Sequence, residues 1–338
     1  MPDPKPPPVE GGEDALLEVI AELLVATQGA APDGELWSGD DAAVLAAPPL
    51  PSALLTVDAL VEGVHVDLRL STPEDLGWKA FSAAVSDIGA MGGRPGHAVA
   101  ALGGPPGTEV ERIVAGMAQA AAACGCPLVG GDLTGAPVVV VSTTVLGSLG
   151  EGPPAVTRSG AKPKDQLFST GPLGASAAGL RILRAEVLAA QGGDCSTWVP
   201  DDSRRAALVA AHRRPRARLD EGWVARQAGA SAMLDCSDGL SIDLHRLARA
   251  SGVGLAIASV PVAPGATEEE ALGGGEDYEL LIATDAPDAL LAAFGAAGLR
   301  EPLRIGECTA DPAERRLGEG SLPLVGWQHR LYGAQPEF

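Results

Sequence analysis

Stretches with helical and with strand-like hydrophobic periodicity alternate along the whole chain, and this alternation limits the fold to layered mixtures of helix and sheet. Residues 13–26 carry apolar side chains at helical spacing: Leu16, Leu17, Ile20, Leu23 and Leu24. A short apolar run over 54–57 stops at Asp58, as a buried strand would. The next helix is marked at its start. Ser71 and Thr72 offer an N-cap, Pro73 suits the first helical position, and Glu74 and Asp75 favour the positive end of the dipole. It is predicted to run to about Met91 and to stop at Gly92-Gly-Arg-Pro95. Thr108-Glu-Val-Glu111 reads as a capping box opening a further helix, which Gly125 ends. Residues 128–129 and 138–146 are strand-like.

After a turn-rich stretch, Leu149-Gly-Glu-Gly-Pro-Pro154, the alternation resumes. Strands are expected over 166–170 and 280–284, and helices over 175–188, 216–228, 240–250 and 287–297, the last capped by Asp285. The reading is an α/β (α+β) chain of two domains, 13–150 and 151–338, behind a Pro-rich lead-in over 1–12 that is expected to be disordered. With 46% hydrophobic residues the chain can fill two cores, and with only 3% aromatics it must build them from Ala, Val, Leu and Ile.

Composition also excludes partners. A formal net charge of −20 repels a nucleic-acid backbone, so no nucleic acid is expected. The acidic surface serves solubility, or part of it converges to hold divalent cations. The opening MPDPKPPPVEGGED lacks the basic and apolar regions of a signal peptide, and no window reaches 18 uninterrupted apolar residues. No membrane span is therefore expected. Five scattered cysteines without a CxxC pair fit packed thiols in a reducing compartment, and the chain reads as cytoplasmic.

Several aspartates sit where apolar runs end. Asp58 follows Leu54-Leu-Thr-Val57, and Asp132 follows Pro127-Leu-Val-Gly-Gly131. Asp235 and Asp238 flank Cys236-Ser237 after Ala232-Met-Leu234, and Asp40 and Asp41 precede Ala42-Ala-Val-Leu45. Carboxylates at strand ends lie where α/β folds place ligands. Asp87 is the sharpest case: four residues from both Ala83 and Met91, it falls on the small apolar face of its helix. A carboxylate there requires a paired Lys or Arg, a bound cation or a solvated cleft. Magnesium, which prefers carboxylates, water and substrate phosphates, explains the set jointly, since no His cluster or Cys quartet competes for a softer metal.

Missing motifs narrow the chemistry further. Lysine occurs only at 5, 79, 162 and 164, none of them in G-x-x-x-x-G-K-[ST], and the H-R-D and D-F-G signatures are absent. Gly171-Pro-Leu-Gly174 leads into a helix whose free amides would suit a phosphate, or forms an ordinary turn. Gly273-Gly-Gly-Glu-Asp-Tyr-Glu279 suits a close backbone approach to a ligand or a tight turn before the next strand. His65 is a phosphate contact or a structural histidine.

Taken in order over some 290 residues, the motifs resemble the thiamine-monophosphate kinase family, within the superfamily of aminoimidazole ribonucleotide synthetase. They are Ser38-Gly-Asp-Asp-Ala-Ala-Val-Leu45, Thr56-Val-Asp-Ala-Leu-Val-Glu-Gly-Val-His65, Trp78-Lys-Ala80 with Val85-Ser-Asp-Ile-Gly-Ala-Met-Gly92, and Gly130-Gly-Asp132. Thr157-Arg-Ser-Gly-Ala-Lys-Pro163, the 171–180 turn and helix start, Asp235-Cys-Ser-Asp-Gly-Leu240, the 273–280 segment and Gly326-Trp327 complete the series.

The resemblance implies an N-terminal domain that dimerises by pairing sheets into a shared barrel, and a C-terminal α/β domain that closes over the nucleotide. It implies a homodimer that uses Mg2+, ATP and thiamine monophosphate. Asp41, Thr56, Val57 (through its carbonyl), Asp58, Asp87, Asp132, Asp235 and Asp238 would surround the metal ions. Gly131, Asp132, Arg158 and Ser237 would face ATP. His65, Glu276 and Trp327 would face thiamine monophosphate. Two positions depart from the family pattern: Leu133-Thr-Gly135 stands in place of Thr-Thr-Arg, and Gln328 replaces an Asp.

The implied reaction is in-line transfer of the γ-phosphoryl group to the acceptor phosphate, with no covalent nucleophile or general base. The alternative enzyme is an aminoimidazole ribonucleotide synthetase-like ATP-dependent ligase of the same superfamily, although the Gly-Val-Gly-Thr-Lys expected of it early in the chain is absent; a hydrogenase-maturation relative would end in a Cys-bearing tail, whereas this chain ends Gln335-Pro-Glu-Phe338. A catalytically inactive nucleotide-binding scaffold is the reading outside enzymology.

Overall fold

The computed structural model describes residues 33–35, 43–45 and 52–329. The lead-in over 1–12, the helix expected over 13–26, and Asp40 and Asp41 lie outside the described residues. A first sheet of five strands has the order β1-β2-β5-β3-β4, from β1 (Ala43–Leu45), β2 (Ala53–Val61), β3 (Arg94–Gly104), β4 (Leu128–Gly135) and β5 (Val140–Ser148). Only β3 and β4 pair in parallel. β2 runs on through Ala59-Leu-Val61, so Asp58 lies in mid-strand opposite Thr143 and does not end the apolar run. The period of two explains this: Leu54, Thr56 and Leu60 point inward and are buried, while Leu55, Val57 and Ala59 point outward and are exposed.

Helices α1 (Pro73–Ala90) and α2 (Val110–Cys124) cover the inner face. Thr72 caps α1 through a reciprocal pair with Asp75, as its sequence predicts. α2 opens differently from expectation. Its N-cap is Glu109, without a side-chain bond, because the Thr108 hydroxyl donates instead to Pro105 O at 2.8 Å. Gly125 closes α2 in the left-handed conformation at φ 66°. The two helices approach so closely that a Cβ on Gly77 would lie 1.9 Å from Ile113 O, and one on Gly116 1.9 Å from Glu74 O.

The second sheet has seven strands in the order β12-β11-β8-β10-β6-β9-β7. They are β6 (Gln166–Ser169), β7 (Ala232–Asp235), β8 (Gly254–Ile257), β9 (Leu280–Thr284), β10 (Leu303–Thr309), β11 (Arg315–Leu317) and β12 (Gly320–Ser321). Its strands alternate between two cores. Leu167, Leu234 and Leu281 pack with α6 (Leu240–Ser251), while Phe168, Met233 and Ile282 pack with α5 (Leu219–Gln227) and α8 (Pro287–Ala296). α3 (Ala175–Ala189) and α4 (Ser203–Arg213) form a separate helical pair, and the short α7 (Glu268–Gly273) precedes the glycine-rich loop before β9.

Two helix starts differ from the sequence reading. α5 begins at Leu219 because Arg218 leaves helical geometry to grip Glu279 with two bonds of 2.7 and 3.0 Å. α8 is preceded by Ala286, whose N–H is taken by the Thr284 hydroxyl at 3.0 Å, so Asp285 is not its cap.

Candidate active site

A cavity of about 640 Å³ opens between the two sheet-bearing halves. From the first half it is lined by Thr56, Val57 and Asp58 of β2, His65 in the turn after β2, and Asp87 of α1. The second half contributes Arg158, Asp235, Ser237, Asp238, Glu276 and Trp327. These are residues the sequence singles out, drawn together from positions up to 271 apart. Gly131 and Asp132 do not line the cavity. They are exposed in β4, three strand steps from β2, or roughly 14 Å at ordinary strand spacing. Asp41 lies outside the described residues.

On the first half, Thr56 donates to Asp87 Oδ2 at 2.5 Å, tying β2 to α1. Asp87 is half-buried on the small face of α1, as its spacing predicts. On the second, Asp235 ends β7 and its Oδ2 accepts from Ser86 of α1 at 2.6 Å, so one hydrogen bond already spans the halves. The turn after β7 is braced from below: Asp243 accepts from the N–H groups of Asp238 and Gly239, and Arg246 pairs with both Asp238 and Asp243. Burial, followed by the charge of Asp238, pushes the Asp243 carboxyl up to about 7.

Electrostatics mark the floor of the cavity. Burial pushes the Asp58 carboxyl above the ordinary carboxylate range; the Ala59 N–H at 2.6 Å opposes this, and the charges of Asp238 and Glu276 reinforce it. Acids from both halves thus repel one another at a place where a cation would relieve them. Among the described residues no three His, Cys, Asp or Glu side chains close into a complete metal cluster. The donors facing the cavity are carboxylate and hydroxyl oxygens. A hard ion that keeps several waters and takes its remaining ligands from phosphates fits such a half-shell.

The opposite end is built from imidazole, indole and one glutamate. His65 Nδ1 accepts from Val61 N–H at 3.0 Å, which leaves its proton on Nε2. Burial, then the charges of His329 and Lys79, lower its pKa to about 4, so it is a neutral donor. Its Nε2 lies 3.3 Å from that of His329, whose ring stands edge-on to Trp327 at 5.8 Å. Trp327 is carried by a terminal segment anchored at Asp238 O through its own N–H at 2.9 Å. Glu276 has φ 67° and Tyr278 φ 51°, left-handed backbone rarely held by side-chain-bearing residues, within the glycine-rich loop before β9.

The turn at 171–174 resolves the two readings of its sequence. Asp277 accepts from Gly174 N–H at 2.5 Å and Ser176 N–H at 3.0 Å, so a carboxylate of the chain itself occupies the start of α3. His212, His329 and Arg184 also line the cavity. Sequence reasoning missed all three. Only His329 left a trace, two positions after the Trp of the last matching motif.

Comparison with known proteins follows the same division into halves. Residues 39–149 match the model of the AIR synthase related protein, N-terminal domain, and residues 162–318 that of its C-terminal domain. The chain is 40% identical over 294 residues to the thiamine-monophosphate kinase of Corynebacterium glutamicum, covering 82% of this chain and 83% of that one. With the Synechococcus elongatus thiamine-monophosphate kinase it shares 32% over 346 residues, covering 95% and 97%. The solved structure of AaThiL complexed with AMPPCP and TMP superposes with a TM-score of 0.79 at 31% identity, covering 96% of this chain and 99% of that one. The hydrogenase maturation protein HypE of E. coli shares the fold alone, at 19% identity and a TM-score of 0.61 over 95% and 98% of the two chains.

Proposed function

Because the chain belongs to the thiamine-monophosphate kinase family of AIR synthase-related proteins, we infer that it transfers the γ-phosphoryl group of ATP to thiamine monophosphate, giving thiamine diphosphate and ADP. One observation carries the reading: carboxylates of both halves face a single cavity, and Asp58 is held above its ordinary range partly by the acids across from it. The relative complexed with AMPPCP, an ATP analogue, and TMP supports the same pair of substrates.

Thr56, the Val57 carbonyl, Asp58, Asp87, Asp235 and Asp238 would hold Mg2+, with Asp41 and Asp132 assigned to the same set on sequence alone. Magnesium would neutralise the phosphates of donor and acceptor and fix their approach. Arg158 and Ser237 hold ATP, with Gly131 and Asp132 again assigned from sequence. His65, whose Nε2–H faces His329, would stand against the acceptor, with Glu276 offering its carboxylate and Trp327 an aromatic surface to a cationic ring. The acceptor phosphate is already anionic near neutral pH, with a second pKa of about 6. It attacks without a general base, and catalysis is positioning and charge neutralisation. Cys236, between two of the acids, is no nucleophile: burial raises its thiol well above the usual range.

The working form is a homodimer. The outer face of the first sheet exposes Leu55, Val57, Val99 and Leu146, and β4 adds Val129, an apolar surface suited to a second copy of the same sheet. No described helix is long and apolar enough to cross a membrane. The functional division falls near Gly150: the dimer face and the metal ligands Thr56, Val57, Asp58 and Asp87 lie before it, and Asp235, Asp238 and the segments that close over the nucleotide and meet the acceptor lie after it.

ADP release from ATP and Mg2+, with and without thiamine monophosphate, tests the reading. Release that depends on thiamine monophosphate and yields thiamine diphosphate is the expected result. Release driven instead by an aminoimidazole precursor, or no release with any acceptor despite ATP binding, overturns it.

A further inference from the structure

Lys79 is an oddity of composition and of place. Lys162 and Lys164 are exposed, whereas Lys79, on α1 of the first half, is 1% exposed. Its ammonium reaches Glu276 Oε2 of the second half at 2.7 Å, across 197 positions of sequence. A buried ammonium is costly to desolvate and persists only where a partner repays it. That partner is a carboxylate lining the cavity, on a residue held at φ 67° and fixed through its own N–H to Ser237 O at 2.7 Å.

Glu276 is gripped from a second side. His212 Nδ1 lies 3.5 Å from the same Oε2, and 3.2 Å from the hydroxyl of Ser176. Burial, then the charges of Lys79, Arg213 and Arg184, keep His212 neutral. Both contacts fall on Oε2, which leaves Oε1 for the cavity. Lys79 itself does not line the cavity, so any influence on the acceptor passes through Glu276.

We propose that Lys79 is a positioning residue for the acceptor: from α1 it holds Glu276 Oε2, so that Oε1 meets the acceptor's hydrogen-bond donors and positive ring, and it makes acceptor binding depend on the seating of the two halves. This rests on the assignment of Glu276 to the acceptor made above. The alternative, a purely structural ion pair, predicts lost stability without selective loss of acceptor affinity.

The test is a two-by-two set, Lys79→Met, Glu276→Gln and the double variant, with Lys79→Arg alongside. KM and kcat are measured for thiamine monophosphate and for ATP, and folding is followed by thermal melting. The expected result for Lys79→Met is a rise of about tenfold or more in KM for thiamine monophosphate, with KM for ATP within about twofold, as for a lost charged hydrogen bond. In the Glu276→Gln background the same change adds less than about twofold, because the residue it acts through is already altered. Lys79→Arg, which keeps the charge but not the geometry, falls between parent and Lys79→Met; should Lys79→Met not fold, it carries the measurement.

Unchanged KM for thiamine monophosphate, an equal rise for both substrates, or additive effects in the double variant overturn the proposal. If the unsubstituted enzyme shows no thiamine-monophosphate-dependent turnover, the acceptor assignment fails and this inference with it. Turnover by the parent with an indifferent Lys79→Met overturns this inference alone.

Discussion

Asp58 is costly to the fold that holds it. Its carboxyl is raised above the ordinary range by burial and by Asp238 and Glu276. A folded-state pKa above the unfolded value means that the ionised form opposes folding at neutral pH, and that this penalty disappears as pH falls through the raised value. In metal-free protein at pH 7, Asp58→Asn should therefore raise the melting temperature by about 2 °C or more, and the gain should vanish by about pH 4. The same substitution should cut turnover by about 10²-fold. Calorimetry at the two pH values, paired with the kinase assay, checks both signs; a melting temperature lowered at pH 7 would show that the carboxylate is already satisfied. At this scale the sequence was legible where a carboxylate interrupts an apolar pattern, as at Asp58, Asp87 and Asp235. Lys79, His212 and His329 were not legible, because what defines them is a partner 36 to 264 positions away.

Elements were legible where their ends carry their own chemistry. Thr72 and Pro73 start α1, Gly125 ends α2, and 280–284 is β9 as read. The cap proposed at Thr108 failed because a nearer backbone acceptor took its hydroxyl, and that at Asp285 because α8 starts one residue later, behind Ala286. β3 escaped notice since its Gly- and Ala-rich sequence, Arg94-Pro-Gly-His-Ala-Val-Ala-Ala-Leu-Gly-Gly104, has little strand propensity and is held by its neighbours β5 and β4. The contact of α1 with α2 was also invisible, being a matter of backbone approach. It yields a prediction of opposite signs. Gly77→Ala places a methyl 1.9 Å from Ile113 O and should cost about 1–3 kcal/mol, while Gly295→Ala, on exposed α8 with nothing within 4 Å, should gain up to about 1 kcal/mol. Chemical denaturation of the two variants measures the difference. A stable Gly77→Ala protein would mean that the helices can slide apart freely.

For the whole molecule, the sequence disclosed two alternating halves but not which sheet face lacks a cover. That information lies in the register: Leu55, Val57, Val99 and Leu146 share the face opposite α1 and α2 only once β2, β5 and β3 are paired. If the proposed dimer forms through that face, Leu146→Glu, a charge at its middle strand, should leave a monomer in sedimentation velocity where the parent sediments as a dimer. A variant that still sediments with the parent would place the interface elsewhere. The ion pair between Lys79 and Glu276 has a consequence in time as well as in space. Its members are 197 residues apart, so at about 5–20 residues per second a ribosome presents the lysine on the order of 10–40 s before the glutamate exists. During that interval α1 carries an ammonium that cannot yet be sealed from water. The first half must therefore leave that side of the helix open as it folds, until the loop carrying Glu276 arrives to close it.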